Sequence, residues 1–237
     1  MLKGRINSFQ SLGTLDGNGV RFVVFSQGCP LRCACCHNPE TWELTEGNEY
    51  TAEEIINRVK NYKDYFGEKG GITVSGGEPL LQAEFFAEVF RLCKENDINT
   101  CLDTSGCIFN ENIKKLLKAT DFCLLDIKYT FDSLYKKNVG CSLSSPLLFL
   151  EKLDELNIPT RLRQVIIRGI NDTESNIIRL KSIAQKFKCV KETELLPFRK
   201  LCREKYDTLG LDFKLKNYPE TDEETIKQLN NLFGEKI

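Results

Sequence analysis

The sequence predicts an α/β fold built from successive βα units. Short runs rich in β-branched and aromatic residues recur along the 237 residues, and stretches with apolar side chains three and four apart lie between them. No Pro/Gly/Ser-rich linker, like-charge block or fixed-length repeat divides the chain. Strand-period runs that alternate with helix-period runs are the pattern of a parallel sheet with crossover helices. About six such units with right-handed crossovers wind either as an open doubly wound sheet or as an incomplete barrel, and periodicity does not choose between the two.

In chain order the candidate strands are Val20 to Phe25 (VRFVVF), Gly71 to Ser75 (GITVS), Asn99 to Asp103 (NTCLD), Phe122 to Ile127 (FCLLDI), Arg161 to Ile167 (RLRQVII) and Glu192 to Leu196 (ETELL). Ile55, Val59 and Tyr62 share a helical face, as do Leu81, Phe85, Val89 and Cys93, and Ile177, Leu180, Ala184 and Phe187 repeat at three and four. Asp222 to Phe233 reads as a C-terminal helix, with Thr221 as its N-cap and Glu224 three residues on.

With 41% hydrophobic and 28% charged side chains the chain has enough apolar surface for a real core, which excludes disorder, collagen and coiled coil. One domain over residues 1–237 is the expectation. Thirty-three basic against 34 acidic residues give a net charge of -1, so nothing global calls for nucleic acid or an anionic membrane. The N-terminus MLKGRINSF lacks an apolar signal region, and no stretch approaches the ~18 apolar residues of a membrane span. A cytoplasmic location is therefore expected. In a reducing compartment the eleven cysteines are buried small hydrophobes, metal ligands or nucleophiles.

The first strand runs into Gly28-Cys29-Pro30-Leu31-Arg32-Cys33-Ala34-Cys35-Cys36-His37-Asn38, with C-x3-C-x2-C spacing at Cys29, Cys33 and Cys36. Three thiolates on one tight loop can converge on one metal centre, with Cys35 a bystander between them. Structural zinc needs a fourth ligand, and no second C-x2-C or H-x3-H exists; His37 is the only histidine. Cys33-Ala34-Cys35-Cys36-His37 spells a haem-attachment motif, but no second histidine exists and Met1 is the only methionine. A redox dithiol of Cys33 and Cys36 leaves Cys29 without a role. A fourth reading is an iron-sulfur cube that takes three thiolates and keeps one iron open for chemistry.

The other strand ends add polar and glycine-rich material: Ser75-Gly76-Gly77-Glu78-Pro79, Asp103-Thr104-Ser105-Gly106, Asp126-Ile127-Lys128 and Leu196-Pro197-Phe198-Arg199. Paired glycines let backbone groups approach a ligand. The carboxylates and hydroxyl suit a hard cation or the polar groups of a nucleoside. Asp126 and Lys128 share one strand face, as do Arg161 and Arg163.

The cysteine triad followed by the Gly-Gly-Glu-Pro stretch resembles the radical S-adenosylmethionine superfamily. GRINSFQSLGTLDGNGVRFVVFSQGCPLRC, CCHNPETW, TVSGGEPLLQ, TCLDTSG, LLDIKY and ELLPF resemble successive signatures of the activating enzymes of glycyl radical enzymes, in order and from about Gly4 to the last helix. That resemblance implies a partial (β/α)6 barrel. It implies a 4Fe-4S cluster on Cys29, Cys33 and Cys36, with S-adenosylmethionine chelating the open iron. One electron from a flavodoxin or ferredoxin would cleave the sulfonium, and the 5'-deoxyadenosyl radical would take hydrogen from a glycine of the partner.

Carried over by position, Cys35, Cys36, His37, Gly77, Asp126, Ile127 and Lys128 would touch the cofactor, with Arg163 a basic strand residue beside it. Asp103, Thr104 and Asp126 would hold a monovalent cation. One departure stands out: Pro197-Phe198-Arg199 replaces the family's Pro-Tyr-His, so Arg199 is the candidate donor where a histidine contacts the cofactor. Cys93, Cys101, Cys107, Cys123, Cys141, Cys189 and Cys202 show no cluster spacing, and no insert follows Trp42. A ferredoxin-like inserted domain is therefore not expected, and the partner implied is pyruvate formate-lyase, acted on by a monomer. The alternatives are an activase of another glycyl radical enzyme and a zinc-stabilised interaction module.

Overall fold

The computed structural model describes residues 2–233. Eight strands form one sheet: β1 (Lys3–Gly13), β2 (Arg21–Ser26), β3 (Asn48–Thr51), β4 (Gly71–Gly76), β5 (Asn99–Thr104), β6 (Phe122–Asp126), β7 (Thr160–Ile166) and β8 (Val190–Pro197). Their order is β3-β1-β2-β4-β5-β6-β7-β8. From β2 to β8 every neighbouring pair is parallel, so each of the six strands expected from the sequence is present and they lie side by side in chain order. The sheet ends at β3 and β8 and does not close, which makes the fold a partial (β/α)6 barrel.

Helices α1 (Ala52–Lys60), α2 (Ala83–Glu95), α3 (Glu111–Lys118), α4 (Asp132–Asn138), α5 (Ser144–Glu155), α6 (Glu174–Lys186), α7 (Arg203–Thr208) and α8 (Glu223–Phe233) occupy the connections. Apolar periodicity explains their docking. Phe85, Phe86, Val89, Phe90 and Cys93 of α2 are buried, as are Ile55, Ile56 and Val59 of α1. Thr51 and Glu54 form a capping box that starts α1 at a defined residue. None of these helices is long and apolar enough to cross a membrane.

The structure differs from the sequence reading in several places. β1 and β3 were not expected; they extend the sheet with antiparallel pairing. β1, between β3 and β2, buries only Gly4, Ile6 and Gly13, and β3, at the sheet edge, buries no residue, so both carry a weak apolar signal. Leu81 lies in a 3-10 turn before α2 and is 40% exposed, outside the buried helical face. The last helix is capped by Asp222, whose carboxylate accepts from Thr225 N at 2.7 Å. Thr221 is instead fully buried, and its hydroxyl donates to the Ile166 carbonyl at 2.7 Å, pinning the chain to β7.

At the N-terminal end of the barrel Arg21 is buried without a carboxylate partner among the described residues. Its guanidinium donates to Thr73 Oγ1 at 3.0 Å, Asn99 Oδ1 at 2.8 Å and the Lys69 carbonyl at 3.1 Å, tying β2, β4 and β5 together. This end is stapled, and the opposite end is left for a ligand.

Candidate functional site

Past the C-terminal ends of the parallel strands lies a cavity of about 260 Å³. Its wall is assembled from five separate βα connections. Cys29, Cys33, Cys35, Cys36 and His37 come from the loop after β2, Gly77 and Glu78 follow β4, and Asp103 to Ser105 end β5. Asp126 and Lys128 end β6, and Arg163 comes from β7. Asp16, on the β1–β2 loop, also lines the cavity.

The cysteine loop is held from both sides. Gly28, at φ +94°, donates to the Thr41 carbonyl at 2.9 Å and accepts from Glu78 N at 2.8 Å. The amides of Arg32 and Ala34 donate to the carbonyls of Val139 and Asn138 at 3.2 and 2.8 Å, so the end of α4 braces the loop from outside. Cys36 N donates to the Cys33 carbonyl at 3.1 Å, closing the turn between them. Burial pushes all four thiols up, Cys29 to about 12 and Cys35 to about 11, so as free thiols they keep their protons.

Among the described residues no three His, Cys, Asp or Glu side chains come close enough to share one ion. A mononuclear zinc site requires that, with every ligand about 2.0–2.3 Å from one point. In an iron-sulfur cube each thiolate binds a different iron, and Cys29, Cys33 and Cys36 all line the cavity. The Asn38 amide also donates to the Cys36 sulfur at 3.4 Å, a contact that stabilises a thiolate ligand.

Gly77 lies where backbone crowds backbone. A Cβ there would stand 2.2 Å from the Gly28 carbonyl oxygen, and one at Gly76, itself at φ +100°, would stand 2.5 Å from Ser26 N. The glycine pair therefore serves close packing of the β4 end against the cysteine loop, while Gly77 also lines the cavity. Glu78 is 1% exposed, and its carboxylate accepts from Leu80 N at 3.2 Å, Ser105 N at 3.0 Å and the hydroxyls of Thr104 and Ser105. Burial raises its pKa, against the effect of those bonds.

The opposite wall is a charged network. Arg163 Nε donates to Asp126 Oδ1 at 3.0 Å, and its other arm donates to Asp103. Lys128 Nζ donates to Asp126 Oδ2 at 2.9 Å, and the Ser75 hydroxyl to Asp103 Oδ2 at 2.8 Å. Burial pushes Asp103 up to about 6, against a share of one guanidinium and the Ser75 hydroxyl bond. Burial acts on Asp126 too, but Arg163 and Lys128 together outweigh it and hold the carboxyl below its ordinary value. Two neighbouring carboxylates thus have different proton affinities because one has two cations and the other shares one.

The residues singled out in the sequence fall as follows. The three triad cysteines, Cys35, Gly77, Asp103, Asp126, Lys128 and Arg163 converge on the cavity. His37 lines it with an exposed ring whose Nε2 lies 3.1 Å from the Arg199 carbonyl oxygen. Ile127 is fully buried behind the wall, its N–H donating to the Arg163 carbonyl and its carbonyl accepting from Gln164 Nε2 at 2.8 Å. Thr104 turns its hydroxyl to Glu78, away from the Asp103 and Asp126 carboxylates. Arg199 does not line the cavity: its guanidinium donates to the Thr221 carbonyl at 2.8 Å, so only its backbone faces the site, through His37. Glu78, Ser75 and Asp16 are site residues that the sequence did not mark. Glu78 and Ser75 stand inside the quoted strand-end stretch, yet their partners at the end of β5 lie 26 or more residues away.

Comparison with known proteins supplies the relationship. The family model described as the Radical SAM superfamily matches residues 23–180. The chain is 42% identical over 236 residues to a pyruvate formate-lyase-activating enzyme of Clostridium pasteurianum, covering 99% of each. It is 40% identical to the enzyme of that name from Staphylococcus epidermidis, over 96% of this chain and 94% of the relative. Its fold is similar to that of Streptococcus suis SuiB bound to the precursor peptide SuiA, with a TM-score of 0.68 and 17% identity over 88% of this chain and 44% of that one.

Proposed function

The chain belongs to the pyruvate formate-lyase-activating enzymes of the radical SAM superfamily, and from that premise we propose how its own residues divide the work. It is an oxidoreductase that uses S-adenosylmethionine and a 4Fe-4S cluster to install a glycyl radical on pyruvate formate-lyase. When bound, the cluster supplies the electron that cleaves the sulfonium, and the carbon radical so released takes the hydrogen from the target glycine. The observation that carries the assignment of roles is the convergence, in one cavity, of Cys29, Cys33 and Cys36 with the polar ends of the next strands.

Cys29, Cys33 and Cys36 hold the cluster, and Cys35 contributes its backbone beside them. Lys128 and Asp126, already paired, face the cofactor with opposite charges that suit its carboxylate and amino groups. Arg163 fixes the Asp126 carboxylate and its own strand, while Gly77, His37 and Ile127 shape the wall. Arg199 enters this site through its carbonyl on His37. Burial of Glu78 and its bonds to both the β4 and β5 ends locks the cavity floor against the motion that would admit water beside a reactive carbon radical. Asp103, Thr104 and Asp126 are the proposed monovalent-cation ligands; both carboxylates are at hand, and a cation there would compete with Arg163 for them. Residues 1–237 are read as one domain without a ferredoxin insert, acting in the cytoplasm as a monomer, with flavodoxin or ferredoxin as reductant.

The test is to mix reconstituted protein, S-adenosylmethionine, dithionite and pyruvate formate-lyase and to record the electron paramagnetic resonance spectrum. A glycyl doublet on pyruvate formate-lyase is expected. A doublet only with another glycyl radical enzyme would overturn the partner, and a colourless, air-stable, zinc-loaded protein would overturn the chemistry.

A further inference from the structure

A second depression, of about 190 Å³, lies on the outer side of the cysteine loop. It is lined by Arg32, Trp42, Tyr206, Leu211 and Lys214, and it reaches Cys33. Cys33 also lines the inner cavity, so at this residue a single layer of chain separates solvent from a proposed cluster ligand. The radical chemistry needs the barrel mouth closed by cofactor and target glycine, which leaves the electron to arrive by another route.

The charge of this face is one-sided. Arg32 is exposed, with its guanidinium 5.0 Å over the Trp42 ring, and it donates only to the Cys29 and Leu31 carbonyls. Lys214 is exposed too, and neither cation has a carboxylate partner among the described residues. Asp212, the acid of the depression, is neutralised by Lys216 at 2.8 Å. The face is also rigidly coupled to the cysteine loop. Tyr206 OH donates to the Cys36 carbonyl at 3.3 Å, and its ring stands edge-on to Trp42 at 5.8 Å. Lys205 reaches the His37 carbonyl at 3.2 Å and Asn38 Oδ1 at 3.0 Å.

We propose that this depression is the docking face for an acidic one-electron carrier protein, which passes its electron inward at Cys33. In the step the carrier is oxidised by one electron and the cluster reduced by one, with no bond or proton exchanged. Redox encounters bury under about 1,200 Å² and are steered by complementary charge, so a small basic patch with an aromatic floor suffices. The proposal rests on the radical SAM reading of the inner site.

The experiment uses reconstituted holoenzyme, reduced flavodoxin as the carrier and dithionite as a small reductant that needs no docking face. The variants are Lys214→Glu and Leu211→Glu, both at exposed positions outside the inner cavity. The second-order rate of cluster reduction by flavodoxin, followed by stopped-flow absorbance, is expected to fall about tenfold in Lys214→Glu at low salt, with the gap closing at about 0.5 M salt. Dithionite should reduce the wild type and both variants at equal rates and give equal glycyl doublets. Unchanged flavodoxin rates in both variants would overturn the proposal, and so would a loss as large with dithionite as with flavodoxin. Failure of the underlying function reads out differently: wild type reduced by dithionite would give no doublet, while the reduction rates could still be compared.

Discussion

Gly77→Ala tests the packing on which the site depends. A Cβ at this position meets the Gly28 carbonyl oxygen at 2.2 Å, whereas ordinary contact begins at 3.4 Å, so the β4 end and the cysteine loop must part by 1.2 Å. Two backbone bonds cross the same gap, Gly77 N to the Ser26 carbonyl at 2.9 Å and Glu78 N to the Gly28 carbonyl at 2.8 Å. A separation of that size stretches both beyond hydrogen-bonding distance. Overpacking costs about 1–3 kcal/mol, and each lost bond about 1 kcal/mol, for a total of about 3–5 kcal/mol. In a chain of this length that lowers the apoprotein melting temperature by about 6–20 °C. Because the displaced Gly28 precedes Cys29, iron content after anaerobic reconstitution should fall with it. Gly169→Ala is the control: its φ is +77°, but nothing lies within 4 Å of the added Cβ, so it bears backbone strain alone. If Gly77→Ala melts no lower than Gly169→Ala and takes up wild-type iron, the packing argument is wrong.

Three further outcomes are expected. Single Cys29→Ala, Cys33→Ala or Cys36→Ala variants should lose most reconstituted iron and all S-adenosylmethionine cleavage, with Cys35→Ala keeping both; iron analysis and visible spectra decide. Arg163→Met strands the buried Asp103 carboxylate and leaves Asp126 with Lys128 alone, at a cost of about 3–5 kcal/mol, and should weaken cofactor binding measured by calorimetry; wild-type stability would contradict the network. For Glu78→Gln the prediction concerns pH. Burial raises the folded-state pKa of Glu78, so its protonated form is favoured by folding; the stability it contributes is full below the ordinary glutamate range and is lost as pH rises through the raised value. Chemical denaturation of apoprotein across that range should show a fall in the wild type that is smaller in Glu78→Gln, and identical slopes would refute it.

Much of the architecture could be read before any coordinates. The six parallel strands announced themselves because a strand covered on both faces carries an apolar run, as FVVF in β2 and FCLL in β6 do. The cysteine triad was equally legible, since its ligands are local in sequence. β1 and β3 were not, because strands this open to water need few apolar residues. The surroundings of Arg199 were not legible either. Sequence position puts it just past a strand end, but only the fold decides that the Thr221 carbonyl, 22 residues on, captures its guanidinium.

The sequence by itself determined the succession of βα units, the loop on which three cysteines can share a cluster, and the family to which those motifs point. Each depends on residues a few positions apart, where spacing dictates geometry. The tertiary structure alone decided that Glu78 closes the floor between β4 and β5, and that Arg163 unites two carboxylates from different strands. It also decided that Cys33 stands between an inner cavity and an outer basic face. These are contacts between distant segments, made when crossovers bring the strand ends together, and a linear pattern carries no record of which side chains then meet.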